Sequence, residues 1–284
     1  MPVLKSGKYL IDFSEAGSGD TVVLVHSSVS GNRQWKRLAQ DLCAQYRVIA
    51  VNLFGYGETS AWNGERPQAI DDQAQLLTAL VRDTSGPIRV VGHSFGGSVA
   101  FKAATMLGER VSHLFLFEPT QFRLLAQHGR HQAYAEVEAL RDSVRIHGKN
   151  GNWEAAAERF ADYWLGDGAW AALPAERRLA YQELLRPNYH EWDCLAADQA
   201  TLRDFVSLPA KAMLAWSPGA PRAIREIAGL IGAHCPNWKV TRIAEGGHMA
   251  PLTHPHLVNP LIAGFLGGGG PLDAQAKNFV GALA

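Results

Sequence analysis

Ile88-Arg89-Val90-Val91-Gly92-His93-Ser94-Phe95-Gly96-Gly97-Ser98-Val99-Ala100 passes abruptly from a β-branched run to small residues at helical spacing. The stretch contains G-x-S-x-G, a short pattern whose meaning depends on its setting. Here the setting is a buried-type strand that meets a helix with no loop between them. A serine squeezed onto so tight a turn must hold a strained backbone, and the residues two places to either side must be glycine to avoid it. Gly92 and Gly96 meet that need. Gly97, Ser98 and Ala100 let the helix approach the sheet closely, and its N-terminus aims backbone N–H groups and a positive dipole end at whatever reacts beside Ser94. Ser94 is therefore the candidate nucleophile. His93, at the same sharp turn, points its side chain away from the pocket and reads as structural.

On both sides of this stretch, short apolar runs alternate with longer helical patterns, the signature of a parallel sheet with crossover helices. Strands are expected at Tyr9 to Phe13, Thr21 to Val25, Arg47 to Val51, Ile88 to Val91 and His113 to Phe117, with helices at Ala69 to Arg82 and Phe95 to Leu107. Gly17-Ser18-Gly19-Asp20 reads as a hairpin turn between the first two strands; it lacks G-x-G-x-x-G and opens no helix, so no dinucleotide site is expected there. After Pro119 the texture changes. Residues to about Phe205 are rich in Trp, His, Glu and Arg and form amphipathic helical patterns without a strand. The α/β rhythm resumes with strands at Lys211 to Trp216 and Lys239 to Ile243, a helix at Ala223 to Ile231 and a last helix around His256 to Phe265. The organisation predicted is a core of residues 1–119 and 206–284 interrupted by a helical cap, 120–205. Gly267 to Gly270 then supply a flexible joint before a short tail.

Composition narrows the function classes. The 284 residues, at roughly 150 per domain, suit one domain carrying an insertion. With 47% hydrophobic and 19% charged residues the chain is too apolar for disorder. Lys+Arg 27 balances Asp+Glu 27, so no long-range field draws nucleic acid or a membrane surface. Cys43, Cys194 and Cys235 are far apart and form no C-x-x-C, which reads as three buried thiols rather than a disulfide framework or zinc site. Neither H-E-x-x-H nor comparable spacing occurs, so no metal and no cofactor are expected. The N-terminus lacks a signal-like apolar stretch and no window of about 18 apolar residues exists. The expectation is a cytoplasmic protein whose mature chain equals this one.

A serine hydroxyl is a weak nucleophile at neutral pH and needs a base, for which histidine is suited. Among 11 histidines, His248 stands out in Glu245-Gly246-Gly247-His248-Met249-Ala250-Pro251, a glycine-rich loop directly after the last strand. A side chain there can project over the carboxyl edge of the sheet. His254 and His256 fit surface or capping positions. His128, His131, His147 and His190 fall in the helical stretch as solvated residues.

Strand, strained serine turn, helical insertion and late Gly-Gly-His together resemble the α/β-hydrolase fold superfamily over nearly the whole chain, to about Phe265. The resemblance implies an α/β fold with a mostly parallel sheet of about eight strands, flanking helices and an inserted cap. His26-Ser27-Ser28 is similar to the family's oxyanion loop, with Ser27 where glycine is common. Asn52-Leu53-Phe54-Gly55-Tyr56-Gly57-Glu58-Thr59-Ser60 is similar to its D-x-x-G-x-G-x-S loop, with Asn52 replacing the aspartate. By that likeness the backbone N–H groups of Ser28 and Phe95 form the oxyanion hole. The acid departs from the common pattern. Ser217-Pro218-Gly219-Ala220-Pro221, where most relatives place an aspartate, holds no carboxylate. Glu118, 24 residues after Ser94 and at the end of the next strand, resembles the alternative acid position of some superfamily members, certain haloalkane dehalogenases among them. Glu226, Asp193 and Asp204 are the other candidates. A dehalogenase itself is disfavoured, because that chemistry needs a carboxylate where this chain has Ser94.

The reaction these residues imply is two-step acyl transfer in a pocket at the carboxyl ends of the strands, with a small or medium, largely apolar carboxylic ester or lactone as the small-molecule substrate. Val29, Phe122, Trp153, Trp164 and Trp192 are the candidate pocket residues, and packing within the cap is the competing role for each tryptophan. A C–C bond or amide hydrolase with the same triad, and a noncatalytic ligand-binding receptor, are the alternative readings.

Overall fold

A computed structural model describes residues 2–267. Its strands are β1 (Val3–Ser6), β2 (Tyr9–Ala16), β3 (Thr21–Val25), β4 (Arg47–Val51), β5 (Ile88–His93), β6 (Val111–Phe117), β7 (Lys211–Trp216) and β8 (Trp238–Arg242). They form one eight-stranded sheet in the order β1-β2-β4-β3-β5-β6-β7-β8. The pairs β1/β2 and β2/β4 are antiparallel, and every other neighbouring pair is parallel.

The central strands are covered on both faces, which is why β3 reads after Thr21 as an unbroken apolar run and is buried throughout. Alternation survives in where its side chains go. Val23 and Val25 join Val90, Leu114 and Leu116 in one core; Val22 and Leu24 join Val91, Phe115 and Phe117 in another on the opposite face. The first core lies under α2 (Ile70–Leu80) and α3 (Phe95–Leu107), together with α11 (Arg222–His234); the second lies under α1 (Lys36–Leu42) and α13 (Pro255–Leu266). Between β6 and β7 the chain makes seven helices: α4 (Arg123–Gln127), α5 (His131–Lys149), α6 (Trp153–Leu165), α7 (Ala169–Ala172), α8 (Ala175–Leu185), α9 (Asn188–Ala197) and α10 (Leu202–Ser207). Local chemistry sets their ends: Asn152 caps α6 by accepting from Ala155 N at 3.2 Å, and Asp204 reaches back to Thr201 N at 2.8 Å at the start of α10. The short α12 (Ala250–Thr253) opens the last helical stretch.

Three expectations are corrected. Gly17 to Asp20 is not a hairpin turn, because β2 pairs with β4 and β3 is parallel to β4; the hairpin lies one strand earlier, where Ser6 faces Tyr9. Strand β1 was not foreseen, since four half-exposed residues on a sheet edge carry no buried alternation. Cys43 is partly exposed, unlike the buried Cys194 and Cys235, and all three thiols are free. The predicted glycine joint, apart from Gly267, and the tail lie outside the described residues. No helix among the described residues is long and apolar enough to cross a membrane.

Candidate active site

Ser94 is the single residue between β5 and α3, with φ 55° and ψ −124°. A Cβ on Gly92 would stand 2.4 Å from Gly96 O, and one on Gly96 2.1 Å from His26 O, so a side chain at either place would push the turn apart. Ser94 N donates to Phe117 O at 3.0 Å, which fixes the turn to the end of β6. The non-glycine residues at positive φ among those described are Val29, Ser94 and Glu118, and each directly follows or closely follows a parallel strand at its carboxyl end. Such conformations cost about 1–3 kcal/mol each. Burying one Val, Leu or Phe of β5 and β6 contributes about 1.5–3 kcal/mol, and several do so here, so the sheet holds the strained residues in place.

The three groups singled out across the chain meet. His248 Nε2 accepts from Ser94 Oγ at 2.8 Å, and His248 Nδ1 donates to Glu118 Oε2 at 2.7 Å. All three side chains are buried. The second oxygen of Glu118 accepts from Ser217 N at 2.7 Å and Ser217 Oγ at 2.5 Å. Ser217 thus stands at the strand end where an acid was looked for and instead supplies two donors to the acid on the neighbouring strand. The loop carrying His248 is laid against that same segment by Gly219 N donating to Gly246 O at 3.0 Å. Such an arrangement can take the proton from Ser94 Oγ onto His248 while Glu118 stabilises the imidazolium. The other acid candidates lie elsewhere: Asp193 pairs with Arg145, Asp204 caps α10, and Glu226 faces Arg130 at 3.9 Å.

Behind this line runs a second one that the sequence did not reveal. Ser27 N and Ser27 Oγ both donate to Gln34 Oε1, at 3.0 and 2.9 Å. Gln34 Nε2 donates to His93 Nδ1 at 3.0 Å, and His93 Nε2 donates to the carbonyl of His248 at 2.8 Å. His93 is therefore a neutral spacer with its proton on Nε2; burial, with His248 alongside, holds its pKa well below the ordinary histidine value. His26 is likewise buried and neutral, its pKa lowered to about 4 by desolvation, with Nδ1 donating to Ser27 O and Nε2 accepting from Leu53 N.

Phe95 N, at the first position of α3, and Ser28 N engage no acceptor among the described residues. The loop carrying Ser28 is instead held from α9: Ser28 Oγ donates to Glu191 Oε2, Tyr56 Oη donates to Glu191 Oε1 at 2.8 Å, and Asn188 Nδ2 donates to Glu191 Oε2 at 2.7 Å. Tyr56 Oη also accepts from Val29 N at 3.0 Å. Sequence reasoning missed Glu191, Asn188, Tyr56, Gln34 and Ser217. Only Tyr56 carried a signal, its place in the glycine-rich loop after β4.

The aromatic candidates divide. Trp164 stacks on His248 with ring centroids 4.1 Å apart, Phe122 stacks between Trp164 and Trp192 at 6.5 and 6.1 Å, and Val29 is half-buried beside Ser28. Trp153 is set apart from this run: it packs edge-on against Tyr189 under Arg186. A cavity of about 360 Å³ lies against Trp164 and His248 on the side of Gly219 and Gly247. No cluster of side chains among the described residues could hold a metal ion.

A parallel sheet with a serine on a strained strand-to-helix turn, facing a late histidine and a strand-end carboxylate, is the arrangement of the α/β hydrolases. The sequence model of the alpha/beta hydrolase family matches residues 22–261, and the chain belongs to that family. It is similar to the lipase LipV of Mycobacterium tuberculosis, 37% identical over 34% of this chain and 36% of that one. It is also similar to the 2-hydroxy-6-oxo-6-(2'-aminophenyl)hexa-2,4-dienoic acid hydrolase of Metapseudomonas resinovorans, 29% identical over 37% of each chain. The matches thus span little more than a third of these curated relatives. Among solved structures, MGS-M2, an alpha/beta hydrolase from a Medee basin deep-sea metagenome library, superposes with a TM-score of 0.75 at 16% identity, covering 96% of this chain and 100% of that one.

Proposed function

We propose that the protein is a serine hydrolase acting on a small or medium, largely apolar carboxylic ester or lactone. Ser94 attacks the carbonyl carbon as His248 takes its proton; the N–H groups of Ser28 and Phe95 receive the oxyanion; collapse expels the alcohol, protonated by His248. Water, deprotonated by His248, then attacks the acyl-enzyme and releases the acid. Glu118 holds the Nδ1 proton and stabilises the imidazolium at both steps. Each hole donor is worth about 10² to 10³ in turnover. Phe122, Trp164 and Trp192 form an apolar wall beside His248. The observation that carries the reading is the continuous line Ser94 Oγ, His248, Glu118 at 2.8 and 2.7 Å; the likeness to a protein named as a lipase supports the ester.

A second reading, hydrolysis of a C–C or amide bond by the same three residues, is favoured by the likeness to a hydrolase whose named substrate, a 6-oxo dienoic acid, contains no ester. The test is covalent labelling by a fluorophosphonate together with release of nitrophenol from short-chain esters, with Ser94→Ala as control. Labelling and turnover, both lost in Ser94→Ala, are expected, the loss in turnover being at least about 10⁴-fold. Labelling without ester turnover moves the protein to the second reading. A correctly folded protein that takes no label is a noncatalytic binding module.

A further inference from the structure

Glu191 lies on α9, between β6 and β7, and is fully buried, yet its three partners are two neutral hydroxyls and a neutral amide. A buried carboxylate without a cation carries a desolvation cost that its donors must offset, and burial pushes its pKa up. An apolar side chain would pin α9 to the sheet at lower cost. What the carboxylate supplies beyond attachment is direction: one core group it directs, Ser28, belongs to the short loop after β3, and the other, Tyr56 in the loop after β4, holds Val29 of that same short loop.

That loop is pinned on two sides. Upstream of Ser28, the Ser27 N–H and hydroxyl are fixed on Gln34, itself fixed on His93. Downstream, Val29 N is fixed on Tyr56 Oη, and Tyr56 is fixed on Glu191. Val29 is a β-branched residue at φ 57°, a conformation it leaves unless held. Ser28's own side chain is tied to Glu191 as well. The Ser28 peptide is thus bracketed by one anchor in the core and one carboxylate from the inserted helices.

We propose that Glu191 is a positioning residue: acting through Ser28 Oγ and Tyr56, it holds the Ser28 N–H where the oxyanion forms, so that the hole is complete only while α9 is seated. The inference rests on the serine-hydrolase reading. Hole donors are worth their full value only when aimed at the oxyanion rather than the ground-state carbonyl, so a loosened donor lowers kcat and spares KM.

The experiment compares wild type, Glu191→Ala, Glu191→Gln, Ser28→Ala and the Glu191→Ala/Ser28→Ala double variant. Active sites are titrated with fluorophosphonate, kcat and KM are measured on nitrophenyl esters, and affinity is measured for a trifluoromethyl ketone, whose adduct with Ser94 places an oxyanion in the hole. Glu191→Ala is expected to lower kcat per titrated site about 10- to 100-fold with KM within about threefold, and to weaken ketone binding by a similar factor. Glu191→Gln, which keeps the shape and one acceptor, restores most of kcat. The double variant is no worse than Glu191→Ala alone, because the Ser28 contact is already lost once Glu191 is gone. Wild-type kcat per titrated site in Glu191→Ala, or unchanged ketone affinity, overturns the inference while leaving the hydrolase reading in place. A purely structural Glu191 lowers the fraction of titratable sites and leaves kcat per site alone. Should Glu191→Ala not fold, Ser28→Ala decides: kcat reduced about three- to tenfold at unchanged KM supports the proposal, and unchanged kcat refutes it. A wild type that takes no fluorophosphonate removes the hydrolase reading and this inference together.

Discussion

The strands of the sheet and the helices between β6 and β7 use opposite kinds of information. In the sheet, β3, β4 and β7 fall where apolar runs place them, and the three groups that meet at Ser94 stand at strand ends or in the loop directly after β8. In the inserted helices, composition tells helix from strand but not which side chain faces the site. Trp164 stacks on His248, whereas Trp153, eleven residues earlier on the same helix, turns to Tyr189 and Arg186. The lesson is that the three groups that meet follow the sheet and its backbone constraints, while the groups that surround them follow tertiary packing.

The largest test of that division is Glu118→Gln. The amide keeps the shape but offers His248 the wrong partner, so turnover is expected to fall by about 10³ to 10⁴ with an unchanged circular-dichroism spectrum. Near-normal turnover would move the acid off the sheet and break the contrast. A smaller effect is in stability. His26 is neutral in the fold, its pKa depressed from 6.5 to about 4, and titrates normally once unfolded. The unfolded chain therefore binds protons below pH 6.5 that the fold does not, so stability is full above pH 6.5 and is lost as pH falls toward 4. Over pH 6.5 to 5 this one core histidine costs ~2 kcal/mol, and His93 adds in the same direction. Urea unfolding at pH 7, 6 and 5 measures it; a flat unfolding free energy would show that the core histidines are not held neutral. The smallest effect belongs to the inserted helices: Trp164→Ala is expected to raise KM about three- to tenfold for esters with longer acyl chains, while Trp153→Ala leaves KM unchanged. Equal effects from both would mean that position along the chain, not packing against His248, decides which tryptophan matters.

How far the molecule was legible follows the range of the interactions involved. The elbow at Ser94 was readable because its steric demand falls on Gly92 and Gly96, two residues away. His248 was readable from its glycine-rich loop. Glu118 needed elimination and a family likeness, since its partner lies 130 residues off. Glu191 could not be found at all: it meets Ser28 across 163 residues, and nothing in the pattern of α9 separates it from a solvent-facing glutamate. The misplaced hairpin at Gly17 has the same origin, because the alternation in β2 reports a half-buried strand and not the identity of its neighbour.

The line from Ser27 through Gln34 and His93 to the carbonyl of His248 runs entirely on segments outside the stretch between β6 and β7. A graft that replaced α4 to α10 with helices of another shape would leave that wiring whole, so the support behind His248 and the make-up of the inserted helices can be inherited as separate parts. The transplant would have one compatibility rule: the incoming segment must bring its own acceptor for the hydroxyls of Ser28 and Tyr56.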